Sequence, residues 1–316
     1  MIMTKSFGTL FISILTAAIV GAASCSSSSA SSSATGAESA ADTVELLPSP
    51  RVPSALGTTE ARAAYVLEHF WDELDFNDTA RSLDTAFVEQ NFVNFTVLFP
   101  YADSAAIATG VDRLITRSAQ AGEPGKLVRH VAELYLDDPN SPVRSEEAYI
   151  HFLRNYIAND LISPEEKIRP RRQLQEALKN RPGMAAADFA FELSDGSRHT
   201  LAKYADEQLA PTVVLFYDPD CETCAATITD LNQSEEMQGV SVLAMDVMGN
   251  REAWKSSLDH LPPMWNVGFA TEPIEEMGLY TFPALPAIYV VDYDGRVLLK
   301  DCSLEQLYGW LSGNLR

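Results

Sequence analysis

Two cysteines three positions apart are the residues in this sequence best placed to do chemistry. Cys221-Glu222-Thr223-Cys224 follows the apolar, β-branched run Thr212-Val213-Val214-Leu215-Phe216-Tyr217 and leads into a helix-compatible stretch at 225–231. A Cys-x-x-Cys at the top of a strand, opening a helix, is the arrangement of a dithiol redox site. The first sulfur meets the helix N-terminus, where unpaired N–H groups and the helix dipole favour a thiolate. The second lies within about one turn, close enough to resolve a mixed disulfide. The alternatives are half a zinc site or a structural pair. Against zinc, the other cysteines, Cys25 and Cys302, form no second Cys-x-x-Cys. His69, His130, His151, His199 and His260 show no metal-ligand spacing. A copper-delivery thiol site would want His or Met ligands near the dithiol, and no histidine follows His260.

The elements that must position the dithiol include a second signal downstream. Tyr280-Thr281-Phe282-Pro283-Ala284-Leu285-Pro286 runs into a strand-like segment at 287–292, then a turn at Asp294-Gly295 and a second strand, Arg296-Val297-Leu298-Leu299. A proline directly before an uninterrupted strand is costly unless it shapes the chain there. Beside the dithiol, it predicts a cis peptide at Leu285-Pro286 that turns a backbone edge outward.

From about residue 182 to the end, the sequence resembles the thioredoxin-like fold, in particular the membrane-tethered thiol–disulfide reductases of the TlpA and alkyl-hydroperoxide-reductase-like group. Pro182-Gly183-Met184-Ala185-Ala186-Ala187-Asp188-Phe189 is similar to that group's opening, with Ala187 where proline is usual. Ser194-Asp195-Gly196 with Leu201 resembles its first hairpin, Cys221 and Cys224 its dithiol, Pro286 its cis-proline, and Asp292 to Gly295 its Asp-x-x-Gly turn. The resemblance implies an α/β thioredoxin-like domain, a central mixed sheet flanked by helices. It implies that Cys221 exchanges disulfides, that Cys224 resolves them, and that Pro286 presents the edge against which a substrate lies, with no bound cofactor. There are departures. Asp218-Pro219-Asp220 stands where many relatives carry tryptophan, and Leu215 stands where thioredoxins often bury an acid, so the proton acceptor for Cys224 is unassigned. The peroxidase pattern Pro-x-x-x-Thr-x-x-Cys fails, because Ala226 occupies its cysteine position.

The N-terminus speaks to compartment. Lys5 precedes an apolar stretch at 7–20, then Gly21-Ala22-Ala23-Ser24-Cys25. A basic segment, an apolar segment and small residues form a secretory signal, and small residues directly before cysteine resemble a lipoprotein lipobox with Cys25 as the lipidated residue; the competing readings are a soluble secreted protein cut near Ala23 and an uncleaved anchor. The Ser/Ala/Thr-rich tract that follows cannot bury a core and reads as a flexible tether. The expected organisation is therefore a lipoprotein signal peptide at 1–24, a tether at 25–51, an all-helical domain at 52–181 and the thioredoxin-like domain at 182–316. With 44 acidic and 23 basic residues, the net charge is -21. That argues against nucleic acid and against electrostatic binding to anionic lipid, leaving the lipid anchor as the membrane attachment.

About six helices fit the region 52–181. Thr58-Thr59-Glu60 starts one, with Ala63, Val66, Leu67, Phe70 and Leu74 on one face. Leu127, Val128, Val131, Leu134 and Tyr135 mark another, and Ser145 precedes a third carrying Tyr149, Phe152, Leu153, Tyr156 and Ile157. Ser163-Pro164-Glu165-Glu166 reads as a helix start with serine as cap. The aromatic stretch Phe70-Trp71 to Phe76 is read as core rather than binding face, and Cys302 as a buried or capping-region thiol. The region resembles an uncharacterised all-helical domain that precedes thioredoxin folds in some bacterial envelope lipoproteins, and that likeness implies no activity.

Two functions fit. The first is an enzyme, a lipid-anchored thiol–disulfide oxidoreductase facing the periplasm, acting on protein disulfides and fed by an upstream dithiol electron donor. The second is a binding module in which the helical domain recruits an envelope partner and the dithiol is structural. Asp218, Asp220 and Glu222 crowd Cys221, which disfavours a very stable thiolate and so favours the disulfide, making the site a reductant.

Overall fold

The computed structural model describes residues 45–314; Cys25, the signal segment and most of the tether lie outside the described residues. Among the described residues, seven α-helices precede the first strand: α1 (Thr59–His69), α2 (Thr79–Ser82), α3 (Thr85–Thr96), α4 (Ser104–Ala119), α5 (Glu123–Leu136), α6 (Glu146–Ala158) and α7 (Ile168–Ala177). Six run ten residues or more; α2 is a single turn that hydrophobic periodicity does not resolve. The starts are chemically marked. Thr58, Asp84, Asp103 and Ser145 each accept the backbone N–H three residues on, at 3.1, 3.2, 2.8 and 3.3 Å, a bond typically worth about 1 kcal/mol.

Two helix boundaries differ from the pattern. α1 stops at His69, so Phe70, Trp71 and Leu74 enter the core from a turned segment. Asp72 ends the helix in polar contacts, with His69 at 2.8 Å and Arg113 at 2.9 Å. At Ser163 the reciprocal cap forms, Ser163 Oγ accepting from Glu166 N–H and the Glu166 carboxylate from Ser163 N–H. Only a turn follows, and α7 begins at Ile168. Pro170 has no N–H to continue a helix back to residue 166, so the helix restarts beyond the box.

The helical core gathers Leu67, Trp71, Phe92, Phe95, Leu114, Val131 and Phe152. Phe95 is fully buried at its centre, with ring centroids 5.2 to 6.3 Å from Phe70, Trp71, Phe92 and Phe99. Where α4 crosses α1, Gly110 lets the backbones touch, since a Cβ there would lie 2.9 Å from the Leu67 carbonyl oxygen. The aromatic stretch is core, as its helical spacing implied.

The second part contains β1 (Ala190–Leu193), β2 (Arg198–Thr200), α8 (Leu201–Asp206), β3 (Thr212–Tyr217), α9 (Glu222–Gln233), β4 (Ser241–Asp246), α10 (Arg251–Ser257), β5 (Asn266–Ala270), β6 (Ala287–Val291), β7 (Val297–Leu299) and α11 (Leu304–Asn314). The sheet order is β2-β1-β5-β4-β3-β6-β7. β3, β4 and β5 are mutually parallel, while the remaining pairings are antiparallel, making the sheet mixed. β3 is buried at all six positions, as a near-continuous apolar run predicts for a strand covered on both faces. Val213, Leu215 and Tyr217 face a cluster with α9, α10 and α11. Val214 and Phe216 face the other side, with α8 and Tyr280.

The helical part meets the sheet part through polar contacts. Arg144 pairs with Asp301 at 2.7 Å, and Lys300 with Glu146 at 2.7 Å. Asn180 Nδ2 donates to the Leu279 carbonyl at 2.8 Å.

Replacing Phe95 with alanine removes the ring on which four other aromatics converge. Urea unfolding should show a loss of about 3–5 kcal/mol; a loss below about 1 kcal/mol would mean that this cluster is not the core of the helical part.

Candidate redox site

The loop after β3 turns on Asp218, whose carbonyl accepts Cys221 N–H at 3.2 Å and whose Oδ1 accepts Asp220 N–H at 2.9 Å. Cys221 is the N-cap of α9, with extended backbone angles. Its sulfur accepts the Cys224 N–H at 3.3 Å, doing with sulfur what serine or aspartate oxygen does at other helix starts. The same thiol donates to the Leu285 carbonyl at 3.8 Å, and the Leu285-Pro286 peptide is cis. Strand register explains the meeting. Phe216 at the end of β3 lies opposite Ala287 at the start of β6, so the residue before Ala287 is delivered to the dithiol loop. Cys221, Cys224 and Pro286 are therefore assembled from segments more than 60 residues apart. All three described cysteines are free thiols.

The two thiols of the motif have different surroundings. Cys221 is half-buried, while Cys224 is 1 % exposed. Burial pushes the Cys224 thiol up to about 12, opposed by a hydrogen bond to the Asp218 backbone and reinforced by the neighbouring Cys221. Cys302 borders the same apolar cluster as Cys224. Its N–H is held by the Ile288 carbonyl at 3.0 Å, and burial pushes its thiol up to about 12.

One acid was not marked out by sequence pattern. Asp246 ends β4 in register with Tyr217 and is fully buried. Alternation along β4 puts it on the face of Val242 and Ala244, the cluster that holds Cys224. Its Oδ1 accepts Met248 N–H at 2.8 Å, whereas Oδ2 is buried with no partner. Burial raises its carboxyl to about 6, and Asp218 and Asp220 add to the rise. The available signal was an acid closing the apolar run Val242-Leu243-Ala244-Met245, a place where a solvated residue is the default reading.

A cavity of about 620 Å³ opens beside the dithiol, walled by Tyr217, Pro219, Ala225 and Ile228 and rimmed by Asp218 and Asp220. Among the described residues, no three His, Cys, Asp or Glu side chains gather as a metal site requires. No helix among them is long and apolar enough to cross a membrane.

Residues 24–180 match the model of a domain of unknown function, DUF5106. A crystal structure of a thioredoxin-like protein from Bacteroides caccae is similar to this chain at 26% identity and a TM-score of 0.78, covering 86% of this chain and 100% of its own. The sheet part of this chain is thioredoxin-like. That relative is long enough to span both the helical part and the thioredoxin-like part. A conserved protein of unknown function from Bacteroides fragilis is 32% identical, covering 42% of this chain and 98% of its own, with a TM-score of 0.39. The thioredoxin domain of a thiol–disulfide oxidoreductase from Bacteroides vulgatus is 16% identical, covering 43% and 99%, with a TM-score of 0.36. No curated protein matches the chain.

The Asp246 carboxyl provides a pH test of this thioredoxin-like core. Its folded pKa, about 6, lies above the ordinary 3.8, so its contribution favours folding most below about pH 4 and is lost as pH rises through about 6. Asp246→Asn keeps an acceptor for Met248 N–H and removes the buried charge. It should be more stable than the wild type by about 1–3 kcal/mol at pH 7, with the gain vanishing near pH 4. Thermal melts across that range measure it; a variant less stable at pH 7 than at pH 4, relative to the wild type, would contradict the electrostatic account.

Proposed function

We propose that this protein is an envelope-anchored thiol–disulfide oxidoreductase that reduces protein disulfides through Cys221 and Cys224. The observation that carries the reading is the half-exposed Cys221 sulfur, set at the N-terminus of α9, beside Leu285-Pro286 and backed by the buried Cys224 thiol. The Cys221 thiolate attacks a substrate sulfur, forming a mixed disulfide and expelling the other substrate sulfur as thiolate. Cys224 then loses its proton and attacks Cys221 Sγ. The mixed disulfide breaks, the substrate leaves with two electrons as a dithiol, and Cys221-Cys224 is oxidised. An upstream dithiol protein returns the electrons. Pro286 holds the backbone edge against which the substrate segment lies.

The acids around Cys221 set the direction. Asp218, Asp220 and Glu222 stand within three residues of it, and Cys224 is held as a neutral thiol by burial. Both effects stabilise the disulfide relative to the dithiolate, so electrons are given up readily and the potential lies nearer about -270 mV than about -120 mV. With dithiothreitol as donor, the full chain should precipitate reduced insulin; Cys221→Ser should fall to the background rate, and Cys224→Ser should accumulate mixed disulfides visible on non-reducing gels. An inactive wild type, or a potential above about -150 mV against glutathione, would sink the reductase reading.

Attachment rests on the lipobox-like Ala22-Ala23-Ser24-Cys25. Inhibiting lipoprotein signal cleavage, or Cys25→Ala, should move the protein out of the detergent phase or leave its leader attached. Unchanged partitioning with Met1 retained would rule the anchor out.

A further inference from the structure

The seam between the helical and thioredoxin-like parts holds a cavity of about 340 Å³, room for about ten water molecules by liquid volume. The redox chemistry does not use it. Asp137, Arg144 and Glu146 line it from the helical part, and Thr281, Tyr289 and Lys300 from the other.

Several of its polar groups lack partners. Tyr289 is 2 % exposed, and its hydroxyl end feels the charges of Asp301, Glu146 and Arg144 around the cavity. Its ring packs edge-on against Phe216 and Tyr280, but among the described residues its hydroxyl makes no hydrogen bond. The Tyr289 hydroxyl is not sealed off from the cavity it lines, so its partner there is a ligand atom or water. Asp137 has no side-chain hydrogen bond either, and burial pushes its carboxyl up to about 6. Lys300, only 10 % exposed, spends one N–H on Glu146 and one on the Ala177 carbonyl at 3.0 Å, leaving a third. Arg172 lines the cavity near the Glu176 carboxylate, with no ion pair within 4 Å among the described residues.

The unpaired groups are thus of both signs. An anion alone would leave the Asp137 carboxylate without a partner, and an amine alone would leave the free Lys300 N–H without one, while the exposed Arg172 guanidinium adds a second cation at the rim. We propose that this cavity binds a small zwitterion, of the class of a free α-amino acid, with its ammonium on Asp137, its carboxylate on Lys300 and Arg172, and the Tyr289 hydroxyl completing the shell. The proposal is independent of the redox reading: Cys221→Ser should bind as the wild type does.

The test is calorimetric titration of the full chain with each of the twenty common α-amino acids, and with butyrate and n-butylamine as single-charge controls. At least one amino acid should bind with a dissociation constant of about 1 mM or tighter, and neither control should. Tyr289→Phe and Asp137→Asn should each weaken binding about tenfold. Arg172→Gln, at an exposed position outside the core, should do the same with the circular dichroism spectrum unchanged, which keeps the test decisive if either buried substitution unfolds the protein. Absence of binding by all twenty, equal binding of butyrate, or binding unmoved by Arg172→Gln would each overturn the assignment.

Discussion

The pairing of β3 with its two neighbours is the constraint on which the rest of the site depends. β3 is buried on both faces, so its register cannot slip by one residue without reversing every side chain between the two apolar clusters. That register has two consequences at the end of the strand. On one side Phe216 faces Ala287, bringing Leu285 and Pro286 to the dithiol loop. On the other side Tyr217 faces Asp246, bringing a buried carboxyl to the same end of the sheet. The chemistry of Cys221 is therefore positioned by hydrophobic burial several residues away from any sulfur.

The Cys221 sulfur is held between two demands. The start of α9 leaves backbone N–H groups without helical partners, and the sulfur accepts one of them. Negative charge there is favoured by the helix dipole and opposed by the neighbouring acids of a chain carrying a net -21. Cys224, one turn along and inside the cluster, has no exposure to solvate a charge. Identical residue types in one four-residue motif thus become a half-exposed sulfur and a sequestered thiol through helix geometry alone.

What was legible in the sequence was local. The Cys-x-x-Cys, the apolar β3 run, Pro286 before its strand, and the capped helices at Thr58 and Ser145 all announce themselves within a few residues, and the helical first part follows from the last of these, while the mixed sheet is what the resemblance to the thioredoxin-like fold implied. The boundaries at Leu74 and Ser163 were misread because competing local effects won: an ion-paired turn at Asp72, and Pro170 withholding an N–H that the Ser163 cap would otherwise have fed into a helix. Asp246 was invisible for a different reason. Its burial comes from two neighbouring strands, one about 30 residues earlier and one about 20 later, and no periodicity encodes that.

The junction of the two parts shows the same dependence on distant partners. Among the described residues, the only positive φ values outside glycine are Asn180 at 48° and Asp301 at 43°. Asn and Asp are the side chains that tolerate this region best, at a cost of about 1 kcal/mol each. Both lie on the seam and both are bonded across it. Asn180 donates to the Leu279 carbonyl and accepts from Ala187 N–H at 2.8 Å, while Asp301 takes Arg144 on its carboxylate and carbonyl. Each unfavourable backbone state is thus offset by contacts made only when helices and sheet are together. Asp301 precedes Cys302, whose N–H is tied to Ile288 of β6, and Leu279 opens the segment that ends at Pro286. The helical part, silent about chemistry in its own sequence, therefore holds the backbone where the chain enters β6 and where it leaves β7, the end of that strand pair from which Leu285 meets Cys221.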